Sequence, residues 1–284
     1  MKSTKAIIIA WGLVLLMAAC VQKPPIEPID DTQPEGKLQH QQLHEGDSTV
    51  YGLACEGCND SVVVLLPRDG SDPVTYNIID AHRHNRIMGR LKVGDWIGLV
   101  RNPTDTTVAD FVIDLDELKG TWCYVVMPKW RDASNMTSQA RAIMEEKIPD
   151  SVKQSFFVPR EYGFTLKRQW IAQSVGYVRR SSLEDQSPVV YPRLLYFTEW
   201  HILNGRLVMI SRERRTREGS NEAEKTTSTL RYDTCDIDLL VGDSLVLSSD
   251  GESRGYYRRR NVADINKEAR QKIAEQEKQA LKQR

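Results

Sequence analysis

The chain has 284 residues, with 39 basic against 39 acidic side chains and a formal net charge of +0. Hydrophobic residues make up 40% and charged residues 27%. That composition excludes bulk disorder, which needs low hydrophobicity or a large net charge, and the balanced charge argues against a nucleic-acid partner, which requires a strongly basic face.

The only long apolar stretch is at the N-terminus, which excludes a multi-span membrane protein, and the length suits roughly one or two domains. Lys2 and Lys5 precede an unbroken apolar run from Ala6 to Met17, followed by Ala18, Ala19 and Cys20. The run is shorter than the about 20 residues of a bilayer-spanning helix. A basic start, a short apolar core and small residues together predict a secretory signal peptide over residues 1–19. Met17-Ala18-Ala19-Cys20 resembles the lipobox of bacterial lipoproteins, with Met17 where Leu is usual. The resemblance implies cleavage before Cys20 and attachment there of acyl chains such as palmitate; more than one chain anchors a protein stably to a bilayer. Val21 follows where an Asp would retain a lipoprotein at the inner membrane, which implies the outer membrane of a bacterial cell envelope. A cleaved signal with an incidental cysteine is the alternative. Residues 20–47 carry Pro24, Pro25, Pro28 and Pro34 among Gln, Asp and Glu with no apolar period, the composition of a flexible, extended tether.

Residues 48–115 read as a small β domain. Val50–Leu53, Val62–Leu66, Val74–Ile79, Trp96–Val100 and Val108–Ile113 are short β-branched runs broken by Pro67, Asp69-Gly70 and Gly94-Asp95, the spacing of a small sandwich or barrel. The turn Leu91-x-Val93-Gly94-Asp95-Trp96 resembles one common in OB-like barrels.

Residues 116–260 read as a second β domain. Gly120-x-Trp122 opens it, and Asn135–Gln154 is predicted helical because Ala140, Ile143, Met144 and Ile148 recur at helical steps. The strands expected after it are Tyr162–Trp170, Ser174–Arg179, Arg193–Phe197, Trp200–Leu203, Leu207–Glu213, Thr229–Ile237, Ser244–Ser248 and Gly255–Arg259. Asn204-Gly205 is a strong hairpin turn, since both residues tolerate positive φ. Glu218–Lys225 is polar and reads as a loop. Residues 261–284 predict a charged C-terminal helix, with Val262, Ile265, Ala269 and Ile273 on one stripe.

From Leu118 to Arg260 the chain resembles a lipocalin-like domain. Gly120-x-Trp122 matches the motif opening the first barrel strand, and the order Trp200-x-Ile202-x-Asn204-Gly205, Tyr232–Ile237, Asp243–Leu247 and Tyr256-Tyr257-Arg258 matches the later strands. The resemblance implies that Trp122 closes the barrel base with Arg258 packed across it. The expected architecture is therefore mainly β: a small OB-like or sandwich domain, a lipocalin-like antiparallel barrel and a C-terminal α-helix.

Chemistry is less legible. Cys55-Glu56-Gly57-Cys58, with His82 and His84 at a spacing that would share a strand face, leaves open a turn disulfide or paired thiols, a metal site or a redox pair. Cys123 and Cys235 read as small buried hydrophobes. There is no Gly-x-Ser-x-Gly elbow and no His-Glu-x-x-His helix, so no catalytic residue, metal ligand or cofactor is assigned and the protein is not expected to be an enzyme. Glu199 and His201 read as a surface pair, and Arg212, Arg214, Arg215, Arg217 and Arg258–Arg260 as solvated strand ends or an anion contact. Trp170, Tyr177, Tyr196 and Trp200 are the ligand-facing candidates, because an eight-stranded barrel is either filled by side chains or holds one small ligand. Two functions compete. One is a membrane-anchored module binding an apolar or amphipathic small molecule. The other is a structural lipoprotein with a filled barrel and a protein partner in the envelope.

Overall fold

The computed structural model describes residues 46–132, 138, 156–178, 187–215 and 227–282. The signal peptide, Cys20, most of the tether, the helix predicted over Asn135–Gln154 (apart from Ser138), Arg217 and the loop Glu218–Lys225 lie outside the described residues.

Strands β1 (Thr49–Ala54), β2 (Val62–Pro67) and β3 (Val74–Asn77) form an antiparallel meander. Helix α1 (Ile79–Arg83), β4 (Ile87–Met88), β5 (Trp96–Arg101) and β6 (Ala109–Asp114) follow. The sheet order is β3-β2-β1-β5-β6-β4, and a parallel bridge between Asn77 and Val108 joins β3 to the start of β6. Five strands thus curl back on themselves in the pairing order of an OB-like barrel. Alternate residues fill it: Val63, Leu65, Tyr76, Ile97, Leu99 and Val112 are all buried together.

One prediction here needs correction. The third strand stops at Asn77, because the Asn77 carboxamide oxygen accepts the Ile79 N–H at 3.0 Å and turns the chain into α1. His82 and His84 therefore do not share a strand face. His82 Nε2 lies 4.0 Å from an exposed Asp60 carboxylate, and the His84 ring meets the Asp80 carbonyl at 2.7 Å.

Helix α2 (Leu115–Leu118) leads into the second sheet. Its strands are β7 (Gly120–Val126), β9 (Arg160–Leu166), β10 (Ala172–Val175), β12 (Phe197–Leu203), β13 (Arg206–Arg215), β14 (Thr227–Val241), β15 (Ser244–Ser249) and β16 (Glu252–Arg259). Two short strands, β8 (Lys129–Trp130) and β11 (Val189–Val190), pair separately. The eight strands run β10-β9-β7-β16-β15-β14-β13-β12, every pair antiparallel. Its edges meet through an Ile171–Glu199 bridge and a Trp200 N–H donated to the Trp170 carbonyl at 2.9 Å, so the barrel is nearly closed. Asn204 (φ 48°) and Gly205 (φ 83°) make the predicted hairpin turn. The expected strand at Arg193–Phe197 begins only at Phe197. Ser174 Oγ accepts the Phe197 N–H and donates to the Leu195 carbonyl, replacing ladder bonds there.

The C-terminal stripe is split. Asn266 sits at φ 58° and separates a short turn at Val262–Asp264 from helix α3 (Lys267–Lys282). Ile265 and Ala269 are buried while Val262 is exposed. Ile265 packs on the barrel exterior beside Cys123, Val175 and Tyr257.

The two sheets divide at residues 115–119, but the packing does not. One hydrophobic cluster joins Trp96, Ile113, Leu115 and Leu118 to Trp122, Trp170, Trp200 and Ile202. Trp170 lies edge-on to Trp96 at 4.8 Å and 4.7 Å from Trp200. Tyr51 donates its hydroxyl to the Ile202 carbonyl at 2.8 Å. Both sheets belong to one compact unit.

Candidate binding site at the barrel mouth

The barrel has a base and a mouth, set by register. β7 pairs with β9 so that Trp122 faces Phe164, Tyr124 faces Tyr162 and Val126 faces Arg160. The period-two pattern Arg160-x-Tyr162-x-Phe164-x-Leu166 places all four on the inner face, running from mouth to base.

At the base, Trp122 is fully buried and donates Nε1–H to the Leu118 carbonyl at 2.8 Å. The Arg258 guanidinium lies over its ring, 4.1 Å from the centroid, the two residues having been brought together by the β7–β16 pair. Arg258 also donates to the Lys119 and Glu117 carbonyls, each at 2.5 Å, and faces Asp243 at 3.4 Å. A Cβ on Gly120 would stand 2.5 Å from Arg258 Nη1, and Gly120 has φ 121°. The positive φ favours glycine two residues before the tryptophan, and a side chain there would also displace the Arg258 guanidinium. Burial lowers the Arg258 pKa somewhat, opposed by Asp243 and Glu117.

Above the base, side chains fill the barrel. Phe164, Met209, Leu245, Leu247 and Ile237 are buried there, with Tyr256 half-buried against them. Tyr124 lies edge-on to Tyr256 at 5.3 Å and under the Arg254 guanidinium at 4.6 Å. Burial pushes the Tyr256 phenol up to about 12. Cys123 is buried, its thiol raised to about 12 by desolvation first and the Glu161 charge second. Cys55, Cys58, Cys123 and Cys235 are all free thiols, and among the described residues no three metal-ligating side chains cluster.

The mouth is open. A cavity of about 460 Å³ sits there, lined by three arginines, Arg131, Arg160 and Arg193, and four tyrosines, Tyr162, Tyr177, Tyr191 and Tyr196. Val178, Val189, Val190 and Leu194 give it an apolar wall. Arg160, 7% exposed, holds its guanidinium 3.5 Å above the Tyr191 ring, while the Tyr191 hydroxyl donates to the Val158 carbonyl at 2.7 Å. Arg131 Nε donates to the Ser187 carbonyl at 3.2 Å. Tyr177 and Tyr196 stand at the rim, 61% and 51% exposed.

The four predicted ligand-facing aromatics therefore separate into two pairs. Tyr177 and Tyr196 line the cavity. Trp170 and Trp200 are buried in the cluster between the two sheets, with Trp200 Nε1 donating to the Lys167 carbonyl at 2.9 Å. Glu199 and His201 lie 3.8 Å apart, and the His201 ring stacks on Trp170. Of the arginine cluster, Arg259 pairs with Glu161 and Arg260 with Asp243. Sequence reading missed Arg131, Arg160, Arg193 and Tyr162; Tyr191 stands out in the sequence only as one of several aromatics beside the expected strands. The period-two run at 160–166 was the available signal for two of them. The others lie just after β8, or in the loop after β11, where no period applies.

No family model matches this chain, and no curated protein does. Among solved structures, a lipocalin-like protein from Bacteroides thetaiotaomicron is similar at 16% identity over 50% of this chain and 97% of that one, with a TM-score of 0.25. A likeness of that size adds nothing to the strand pairing, on which the description of the barrel rests; the chain is mainly β, an OB-like barrel followed by a nearly closed eight-stranded antiparallel barrel and a C-terminal helix.

Proposed function

We propose that this protein is a lipid-anchored lipoprotein of the bacterial outer membrane, acting as a small-molecule binding module and not as an enzyme. Its ligand is apolar or amphipathic and sits at the mouth of the large barrel. The observation that carries the reading is the concave cavity of about 460 Å³, in which arginines and tyrosines give a lining more polar than apolar and valines and a leucine supply the apolar part; small-molecule sites are concave and use placed polar groups to fix a ligand's orientation. The anchor rests on the Met17-Ala18-Ala19-Cys20 pattern.

Two measurements test it. The neutral dye N-phenyl-1-naphthylamine should bind the protein, and Tyr177→Ala with Tyr196→Ala should weaken that binding several-fold. No difference between the variants and the parent would remove the mouth as the site. Cys20→Ala should release the protein from the membrane fraction; full retention of the variant would refute the anchor. The filled interior favours the second reading in one respect: Trp170 and Trp200 are core, so any ligand reaches no deeper than the mouth. If no small molecule binds there, the module is a partner-docking lipoprotein.

A further inference from the structure

We infer that the ligand is an organic anion, with one negatively charged group on an apolar body. This inference rests on the binding reading above and names the chemistry that the site selects. Three guanidinium groups line the cavity, and among its described lining residues none carries a carboxylate. Arg160 is buried to 7% exposure on the inner barrel face and fixed flat on Tyr191. A guanidinium held in this way is oriented before a ligand arrives, so little freedom is lost on binding.

Each of the three arginines already makes local contacts, and the inference does not need them to be vacant. A guanidinium has five N–H donors in a planar fork, so Arg131 can keep its Ser187 bond and Arg160 its ring contact while other donors meet an anion. The barrel base supplies the contrast. There Arg258 turns its donors to the main-chain carbonyls of Glu117, Lys119 and Gly242 and faces Asp243, so its charge is neutralised within the fold. At the mouth all three arginines line a cavity.

The apolar half of the ligand follows from the remaining lining residues. Val178, Val189, Val190 and Leu194 offer no hydrogen-bond donor beyond the main chain, and the Tyr177 and Tyr196 rings stand exposed beside them. A flat or aliphatic body would lie against these side chains while its anionic group reaches the arginines. A small inorganic anion would leave the apolar side chains wet, and a neutral apolar molecule would bring no charge to complement the guanidinium groups.

The test uses two dyes with one body, 1-anilinonaphthalene-8-sulfonate and N-phenyl-1-naphthylamine, which differ by the sulfonate. The protein is the full chain carrying Cys20→Ser, which removes the acyl chains. The sulfonate should bind at least about tenfold more tightly than the neutral dye, the gain of one charge-assisted contact. Arg193→Gln should erase most of that preference; Arg160→Gln, checked for native circular dichroism because the residue is buried, should erase it further; Arg260→Gln, exposed and remote, should leave it intact. Equal affinity for the two dyes would overturn the anion inference while leaving the binding module standing. A preference for the sulfonate that both cavity variants keep would overturn the assignment to these arginines. If neither dye binds, the binding reading fails with it.

Discussion

The two ends of the large barrel each pair an arginine with an aromatic ring, yet they use the pair in opposite ways. At the base, Arg258 covers a fully buried Trp122 and points its donors at main-chain carbonyls. At the mouth, Arg160 lies on Tyr191 beside an open cavity whose rim rings are more than half exposed. The same cation–π pairing thus closes one end and lines a recess at the other. What differs is the setting. At the base the guanidinium donors return to the backbone and the pair is a plug; at the mouth the pair lines a cavity that can hold a ligand.

The largest expected effect tests the plug. Trp122→Ala should cost about 3–5 kcal/mol, as large-to-small aromatic core changes do. The removed ring fills the base, and its loss also strips Arg258 of its cover. Urea denaturation of the variant beside the parent reads this directly. A cost below about 1 kcal/mol would mean that the base is not a packed plug, and the contrast between the ends would disappear.

The next effect makes the base sensitive to pH. Asp114, 2% exposed, caps α2 by accepting the Glu117 N–H at 2.8 Å, and α2 supplies the carbonyls that hold Trp122 and Arg258. Burial, reinforced by the neighbouring Asp95 and Glu117 carboxylates and opposed by the Glu117 N–H, pushes the Asp114 carboxyl from 3.8 up to about 7. The folded state thus holds this proton more tightly than the unfolded chain. Stability from this group is full below about pH 4 and is lost as pH rises through about 7, at up to about 1.4 kcal/mol per unit. Asp114→Asn keeps a capping oxygen and cannot ionise, so its stability should be flat where the parent's declines. Parallel slopes in the two proteins would place the titrating group elsewhere.

Legibility in the sequence follows the same contrast. The base was readable because its parts are close in sequence or sit in fixed strand registers: Gly120 and Trp122 are two apart, and Arg258 faces Trp122 across one strand pair. The turn Asn204-Gly205 was readable from backbone preference alone. Its second role was not: the Asn204 side chain also accepts from Ser48 and donates to the Gly46 carbonyl, 156 and 158 residues away. The mouth depends on such distant meetings. Arg131, Arg160 and Arg193 come from three separate segments, two of them outside regular period-two strands, and no local pattern says that they converge. The shared core was hidden for a related reason. Trp96 and Tyr51 read as strand residues of a small domain, and nothing in their local period says that their outer face meets Trp170 and Trp200.

A smaller effect is expected where α3 is tied to the mouth strands. Asn266 receives no help from a helix at φ 58°, yet its side chain accepts the Glu161 N–H and donates to the Glu161 and Gly176 carbonyls, both at 2.9 Å. Glu161 in turn accepts from Tyr257 and Arg259, and these partners outweigh its desolvation and hold its carboxyl below the usual value. Asn266→Ala should cost about 1–3 kcal/mol through the unpaired groups it leaves. Asn266→Gly loses the same bonds but suits the left-handed backbone, so it should recover about 1 kcal/mol of that. Equal losses would show that backbone conformation carries none of the effect.

The smallest stability effect should come at the rim, and its smallness is what identifies a binding surface. The Tyr177 ring is 61% exposed, so removing it takes little apolar area out of the folded core and leaves no buried polar atom unpaired. Surface changes of this kind stay within about 0.5 kcal/mol. The same ring lines the cavity, and aromatic contacts of this sort contribute about 0.5–1.5 kcal/mol to what they touch, a roughly two- to tenfold change in affinity. Tyr177→Ala should therefore weaken dye binding while leaving the urea midpoint in place, the reverse of Trp122→Ala normalised to the folded fraction. A Tyr177→Ala variant that lost stability and kept its affinity would make the rim part of the core, and the mouth would then be a second plug.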